Sequence, residues 1–366
     1  FAQKRNIPKG KGKEIEFRKY DPLPKALTPI TEGVTPKGRK LSMTTLTAQV
    51  DQYGDFVEIS DILDLTAIDN NLQEATVLLG SQAGRTLDTI TREVINGGSN
   101  VQYGEGQVTG RHLLVGGETT GNHYFTVRAV RKAVRFLKTM NAPRYEGSYW
   151  AIIHPDCSYD IQDDPDWKRP HEHKDTSNIY DDEIGKIAGV RFIETTEAKV
   201  FHADDLTEGA RDLTVKSASG KVLTVNEAIT TADAAKLAGR EVVIGGALLE
   251  IESASAAGAG SATITLKEAP ATTPTASTAI YPGEAGAKGR NVYSTLIMGA
   301  EAYGTTELTG GGLEHIVKPL GSAGTADPLN QRATVGWKAT KVAERLVEAY
   351  MIRVETTSTF DETPLT

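Results

Sequence analysis

Histidine and acidic side chains lie close together at two places in the chain. His154, Asp156 and Asp160 follow an apolar stretch, and His171 and His173 lie in the segment RPHEHKD. A zinc site needs three or four such ligands that converge from rigid elements. Because RPHEHKD is polar and contains a proline, we interpret its histidines as surface residues. The sequence therefore predicts no metal site.

Two further positions have residue types that could act as nucleophile or base. Cys157 is the only cysteine, which excludes an internal disulfide and a zinc site built from several thiolates. It lies near His154, but no motif supports an activated thiol, so we predict a buried structural cysteine in a reducing compartment. His315 follows the glycines at 310–312 without a serine elbow or paired carboxylates.

Glycine-rich segments could bind phosphate only in a particular setting. Gly104, Gly106, Gly110 and the pair Gly116 and Gly117 are not followed by Gly-Lys-Ser/Thr, so no P-loop is present. The spacing from Gly104 to Gly110 also lacks the preceding strand and the ribose-binding acid of a dinucleotide site. We predict no catalytic residue, no cofactor and no enzymatic activity.

Length and composition limit the remaining function classes. With 366 residues the chain should form two or three packed units, and no apolar run reaches the ~18 residues of a membrane span. The net charge of −8 argues against a dedicated nucleic-acid binder. The chain begins FAQKRNIPKG, without Met or an apolar signal segment, so we expect it to be processed or trimmed and not secreted.

The N-terminal segment is more basic than the rest of the chain. Four prolines interrupt residues 1–29, where we find neither a helical nor a strand period. Such an arm can be ordered only against its own body or a neighbouring subunit. Its cations are Lys4, Arg5, Lys9, Lys11, Lys13, Arg18, Lys19 and Lys25.

The residues that follow the arm predict a long projecting hairpin. Residues 28–60 contain alternating apolar and polar positions, a tight-turn signal at 35–38 and a glycine, Gly54, at which we expect a bend. A hairpin alone is marginally stable in water, so it needs a partner surface.

Two amphipathic helices follow. The first has apolar residues every three or four positions, with Asp69 and Asn70 as caps and Gly97 and Gly98 as stops. Gly80 and Gly84 within it predict a closely packed backbone. The second, FTVRAVRKAVRFLKTMNA, has one apolar and one cationic face; the cations either are solvated or contact an acidic neighbour or packaged nucleic acid.

The rest of the chain predicts strands. YWAIIHPDCSYDI predicts a short buried strand that runs into a turn, and residues 204–290 predict an inserted β-rich subdomain. The flanking GKIAGVRFIETTEAKVF and NVYSTLIMGAEAYG predict β-rich core. For the C-terminal run we favour a strand preceded by a bend at Gly336. The fold class is α+β.

The absence of a chemical constellation, together with a hairpin, a basic arm and a long helix, indicates a protein that contacts other copies of itself. Heterologous contacts between such copies generate rings and closed shells. The alternative is a β-rich adhesin or a capsid decoration protein that binds through residues 204–290. Tyr281 is the only aromatic residue in that segment, which weakens this alternative.

Several long blocks, in order, resemble the N-four-like family of major capsid proteins of tailed bacteriophages. These blocks are RKYDPLPKALTPITEGVTPKGRKLSMTTLTAQVDQYGDFVEISDILDLT, IIHPDCSYDI, EIGKIAGVRFIETTEAKVF and GGGLEHIVKPLGSAGTADPLNQRATVGWKATKVAERLVEAYMIRVE. The resemblance implies the Hong Kong ninety-seven-type capsid fold, with an N-terminal arm, an extended loop, a peripheral domain with a spine helix, and an axial domain. Residues 204–290 lie outside it.

The resemblance also implies a division of the chain and a role for each part. The parts are an arm (1–27), an extended loop (28–60), a peripheral domain with a spine helix at 70–96 (61–148), an axial domain (149–203), the β-rich insertion (204–290), an axial return (291–310) and a return to the peripheral domain (311–366). Residues 310–334 would then be a connection, with Trp337 anchoring the return.

The implied function is self-assembly through hexamers and pentamers into an icosahedral shell around double-stranded DNA, with at most non-specific DNA contact. The implied location is the virion, assembled in the host cytoplasm, with a decoration or cement protein, a portal and a scaffold as further partners and no membrane. Some relatives join subunits through a lysine–asparagine isopeptide bond. Lys37 or Lys40 and Asn330 could take those parts, but no matching motif is present, so we expect non-covalent contacts.

Overall fold

The structure is a computed structural model that describes residues 2–8, 10, 12–20, 23–29, 32–35, 38–66, 71–116, 123–168, 184–308, 312–322 and 327–360. The chain packs as two units, each described by itself below. The first comprises residues 1–97 and 300–348, and the second comprises residues 98–299 and 349–366.

Both units contain helices and strands. The described helices are α1 (Asp61–Thr66), α2 (Asn71–Asn96), α3 (Val127–Thr139), α4 (Pro155–Asp163) and α5 (Thr231–Leu237). The described strands are β1 (Gln3–Ile7), β2 (Glu14–Tyr20), β3 (Met43–Gln49), β4 (Asp51–Ser60), β5 (Val101–Tyr103), β6 (Tyr149–Ile153), β7 (Lys186–Ile187), β8 (Val190–Glu194), β9 (Val200–Phe201), β10 (Leu213–Ser219), β11 (Val222–Val225), β12 (Glu241–Ile244), β13 (Ala247–Ser255), β14 (Thr263–Leu266), β15 (Ala279–Pro282), β16 (Val292–Met298), β17 (Tyr303–Leu308), β18 (Glu314–Lys318), β19 (Arg332–Arg345) and β20 (Met351–Thr356).

The first unit is built on the long strand β19. One edge of β19 pairs with β4 along ten residues, and the other edge pairs with β18 and then with β17. The helix α2 packs on this sheet through Leu79 and Ala83, which bury Val335, Trp337 and Ala339. The period of α2 therefore correctly predicted its buried stripe, and the helix ends at Asn96 as its glycine stop predicts. The predicted caps Asp69 and Asn70 lie outside the described residues.

The arm and the hairpin differ from the prediction. The arm contains two strands: β1 pairs in parallel with β17, and β2 pairs with β3 from Glu14–Gln49 to Tyr20–Met43. The hairpin is therefore formed by residues 14–49, whereas β4 leaves it to pair with β19. Phe17 and Ala48 are buried in this arrangement. The prediction of a strandless arm was wrong because β1 and β2 are rich in charged residues and their partners are distant in sequence.

Four glycines have roles other than those predicted. Gly54 and Gly336 lie inside continuous strands and not at bends. A Cβ at Gly336 would lie 2.8 Å from the Cβ of Phe56, and one at Gly54 would lie 2.6 Å from the carbonyl oxygen of Trp337. Gly80 and Gly84 are exposed on α2, and a Cβ there would meet nothing within 4 Å. The close approach therefore occurs in the sheet and not at the helix.

The second unit contains a seven-stranded sheet in the order β5-β20-β16-β6-β8-β7, with β9 also paired to β16. The four apolar residues predicted to face the core from α3, namely Val127, Val130, Val134 and Leu137, are buried, and Thr126 caps this helix by accepting from Ala129 N. The segment after β6 forms the helix α4, where a turn was predicted. His154 caps that helix and Pro155 stands in its first turn, a position at which proline favours a helix.

Residues 213–282 contain a closed barrel, in the order β10-β11-β14-β13-β12-β15. The strands predicted for the β-rich segment are therefore confirmed. The barrel has its own core, which includes Leu213, Leu223, Ile251, Ile264 and Ile280. The helix α5 adds Leu237 to this core and begins with a capping box between Thr230 and Asp233.

The packing divides the flanking residues differently from the division implied by the resemblance. Residues 98–148, which that division grouped with the spine helix, pack in the second unit because α3 covers β16 and β20. Residues 300–310, grouped with the axial domain, belong to the first unit through β17. Residues 349–360 belong to the second unit because β20 pairs along β16.

We predict opposite stability effects at two of these glycines. Gly336→Ala should destabilise the chain by about 1–3 kcal/mol because the added methyl group overpacks the sheet against Phe56. Gly80→Ala should stabilise it by up to about 1 kcal/mol because α2 gains helix propensity without a clash. Denaturant midpoints of both variants and the parent measure this difference. Equal effects of the two substitutions would contradict the assignment.

We also predict that residues 204–290 fold when produced alone, since their core draws on residues of the barrel segment. Amide chemical-shift dispersion and a cooperative thermal transition would be the expected result. Ile264→Asp in the same fragment is the control that should abolish both, because it buries a charge. A disordered spectrum of the unsubstituted fragment would show that the barrel needs the rest of the unit.

Candidate functional site

His154, Asp156 and Asp160, the candidate metal ligands of the first histidine cluster, lie at or in the helix α4. His154 caps this helix, with Nδ1 accepting from Asp156 N at 3.2 Å. Burial lowers the pKa of His154, against the opposing effect of the Asp156 carboxylate. Asp160 accepts from Thr359 Oγ1 at 2.7 Å, and burial raises its pKa. Across the described ranges, no three His, Cys, Asp or Glu side chains are placed to hold a metal ion.

The remaining chemical candidates also have structural positions. Cys157 is fully buried as predicted, with Sγ 3.7 Å from Thr356 Oγ1. Gly104 and Gly106 have positive φ and form a turn after β5. His315 lies in β18 opposite Trp337. His171, His173, Lys37, Gly117, Gly310 and Gly311 lie outside the described residues.

Trp337 links the sheet of the first unit to the helix α2. Its Nε1 donates to Gln82 Oε1 at 3.2 Å, and Gln82 Nε2 donates to Asp55 Oδ2 at 2.7 Å. The donors Gln82 Nε2 and Phe56 N lower the pKa of the Asp55 carboxyl. The sequence alone does not indicate Gln82 or Asp55 as contact residues. Neither belongs to a motif, and their hydrogen bond joins residues that are distant in the chain.

The opposite face of the same sheet is open. Side chains alternate along a strand, so Gly336 lies on the face away from Trp337 and α2. Its neighbours across the sheet are Phe56 on β4 and Ile316 on β18, and Phe56 is 65% exposed. Because Gly336 has no side chain, a depression of about 480 Å³ forms here. We call this the sheet depression.

Ion pairs border the sheet depression. Arg332 Nε lies 3.0 Å from Glu58 Oε1, and Lys338 Nζ lies 3.0 Å from Glu314 Oε2. An apolar centre with a polar border is the usual anatomy of a protein–protein interface. The sheet depression is therefore a candidate contact surface for another protein chain.

The second candidate contact surface is the segment between β2 and β3. The resemblance implied an extended loop at residues 28–60; because the β2–β3 ladder ends at Tyr20 and Met43, from here on the name extended loop refers to residues 21–42. Its described large apolar residues are more than half exposed, at 56–82% of their surface. They are Leu23, Leu27, Val34 and Leu41. Exposed apolar residues that recur along one segment indicate a contact surface.

A buried ion cluster stabilises the second unit. Glu355 on β20 is fully buried, and it accepts two hydrogen bonds from Arg111 at 2.7 and 2.8 Å. Arg353 Nε lies 2.7 Å from the same carboxylate. The guanidinium of Arg111 also stacks on Phe201, at 3.4 Å from the ring centre. Arg111 donates to Glu284 O, so this cluster reaches the segment that leaves the barrel.

Comparison with known proteins places this geometry among capsid proteins. Residues 43–199 match the family model described as phage capsid protein. The fold is similar to the capsid of Ralstonia phage GP4, with TM-score 0.59 and 12% identity over 99% of this chain and 88% of that one. The chain has the fold of phage capsid proteins.

Two cyanophage capsids show the same fold. The capsid structure of cyanophage P-SCSP1u matches with TM-score 0.57 and 13% identity, over 98% of this chain and 86% of that one. The Pam1 capsid matches with TM-score 0.56 and 14% identity, over 96% and 87% of the two chains. These likenesses confirm the predicted Hong Kong ninety-seven-type fold and the α+β class.

The comparisons give no support to the adhesin or decoration-protein alternative. No curated protein matches the sequence. The division into named domains and the narrower N-four-like assignment stay predictions. Among the described residues, no helix is both long and apolar enough to cross a bilayer.

We predict that Glu355→Gln strongly destabilises the second unit. The substitution removes the negative charge that Arg111 and Arg353 share, and breaking a buried ion pair costs about 3–5 kcal/mol. Glu250→Gln is the matched control, because Glu250 pairs with Lys267 at the surface and its loss should cost less than about 1 kcal/mol. Chemical unfolding measures both. A small effect at position 355 would show that the cluster contributes little to stability.

Proposed function

We propose that the chain is the major capsid protein of a tailed phage and assembles through hexamers and pentamers into an icosahedral shell around double-stranded DNA. The observation that carries the proposal is the extended loop, whose leucines Leu23, Leu27 and Leu41 are all more than half exposed. The phage capsid family match and the capsid fold support the same role.

The extended loop and the sheet depression have the properties of two surfaces of one heterologous contact. Leu27 and Leu41 would supply apolar side chains, and Phe56 and Ile316 would supply an apolar receiving surface. Contacts between different surfaces of identical chains close into rings and shells when their angles permit. Many modest contacts of this kind per subunit hold a shell more firmly than any one of them.

The role is structural and non-enzymatic, and we propose that the contacts are non-covalent. Asn330 lies in a turn with positive φ, its backbone nitrogen donating to Asp327 O at 3.1 Å. That position serves the connection into β19. The barrel would lie on the outer surface of the shell, where it could stabilise neighbours or bind a decoration protein. Portal and scaffold proteins would complete the head, which would be assembled in the host cytoplasm.

The first test is negative-stain electron microscopy of the purified chain, produced alone and with its phage neighbours. Uniform closed shells or capsomer rings are the expected result. Monomers under every condition would contradict the proposal.

We predict that shortening the extended loop blocks shells without unfolding the chain. Tyr20 and Met43 form the last pair of the β2–β3 ladder, so Asn-Gly in place of residues 21–42 would close a two-residue hairpin. Thermal unfolding should show an intact fold, and electron microscopy should show no closed shells. The milder variant Leu27→Ser/Leu41→Ser should reduce shell yield.

The matched control is a pair of serines at exposed apolar positions outside both surfaces, Val222→Ser/Leu248→Ser on the barrel. This control should assemble as the parent does. Normal shells from the shortened chain would show that the extended loop is not an assembly contact.

A further inference from the structure

The exposed side of the helix α3 is cationic up to Thr139, its last residue. Every exposed position between residues 127 and 138 is an arginine or a lysine, whereas the opposite side is buried. No aspartate or glutamate occurs between His123 and Tyr145. We call these five residues the basic face: Arg128, Arg131, Lys132, Arg135 and Lys138.

The contacts within the chain occupy only part of the basic face. Arg128 Nε lies 3.3 Å from Glu105 Oε2, and Arg131 Nη1 lies 3.4 Å from Asp166 Oδ2. Lys132 donates to the backbone oxygen of Glu105. In the described part of the chain, no carboxylate pairs with Arg135 or Lys138. Exposed ion pairs of this kind are worth less than about 1 kcal/mol, so a polyanion could displace them.

Three of the cations surround a surface depression. Arg131, Arg135 and Lys138 border about 470 Å³ of open space, together with Val134, Thr139 and Ala188. Among the described residues, Val134 and Ala188 are the apolar ones that line it. An anionic group that enters this depression would meet three positive charges.

The composition of the basic face decides between a protein and a nucleic acid as its partner. Protein interfaces are depleted of charged residues at their centre and enriched in aromatic residues. Protein–DNA interfaces are instead polar and strongly positive, and most of their contacts are with phosphate. Of the six exposed positions of α3, five are cations, one is Thr139 and none is aromatic, so this surface matches the second kind.

We propose that the basic face binds the phosphate backbone of double-stranded DNA, without reading its sequence. This inference rests on the proposed function, in which the shell encloses DNA. The basic face spans about 15 Å along α3, a length over which duplex DNA carries about nine phosphate charges. The net charge of −8 does not oppose such a contact, because the cations are concentrated on one side of one helix.

The test is the affinity of the purified, unassembled full-length chain for a fluorescent mixed-sequence DNA duplex. Fluorescence anisotropy is measured between about 50 and 200 mM salt. Arg135→Gln/Lys138→Gln should weaken binding several-fold and reduce the slope of log K against log salt by about 2, because two phosphate contacts are lost.

The matched control makes the same change of charge elsewhere. Lys216→Gln/Lys221→Gln removes two exposed lysines of the barrel. The control should bind DNA as the parent does. If control and test variants weaken equally, or if the test variant binds normally, the proposal is overturned.

Electron microscopy of the same variants separates this proposal from the proposed function. Shells that form normally from a variant with weakened DNA binding would support both. Loss of shells with unchanged DNA binding would identify the basic face as a subunit contact and overturn the inference. If the parent chain forms no shells but the basic face still determines DNA affinity, the phosphate contact stands and the capsid function fails.

Discussion

The alternation of Gly336 and Trp337 along β19 is the constraint on which the first unit depends. Trp337 fills the space under α2 and donates to Gln82. These two contacts fix where α2 lies along β19. Gly336, one residue earlier, lies on the opposite face and lets β4 approach with Phe56 beside it. A one-residue shift of β19 would exchange these faces and place the indole in solvent.

The sequence predicts those elements whose signals are local. The 3.6-residue period of α2 and α3 gives their buried stripes, and short alternating strands give the barrel segment. It does not predict pairing between distant residues. The strands β1 and β2 are rich in charged residues and lie near prolines, and their partners β17 and β3 are distant in sequence. In the same way, Gly54 and Gly336 indicate bends until their sheet neighbours are known.

The candidate functional surfaces also differ in whether the sequence alone predicts them. The basic face could be recognised from the sequence, since an amphipathic period with cations at every exposed position is a local pattern. The sheet depression could not, because Phe56 comes from a strand that is distant in the chain from those of Ile316 and Gly336. Surfaces built by a sheet require knowledge of its strand order, whereas surfaces built by one helix do not.

The buried cluster around Glu355 helps to attach the barrel to the rest of the second unit, although the barrel and the seven-stranded sheet have separate apolar cores. Arg111 joins the carboxylate of Glu355 to the backbone of Glu284, and Arg240 joins Glu284 to the backbone of Asp205. Polar groups therefore hold both chain segments that connect the barrel, whereas the barrel core and the sheet core each contain their own apolar residues. The directional hydrogen bonds of Arg111 and Arg240 fix the orientation of the barrel. Because the two apolar cores are separate, a substitution in the barrel core changes the packing of the barrel and not that of the sheet.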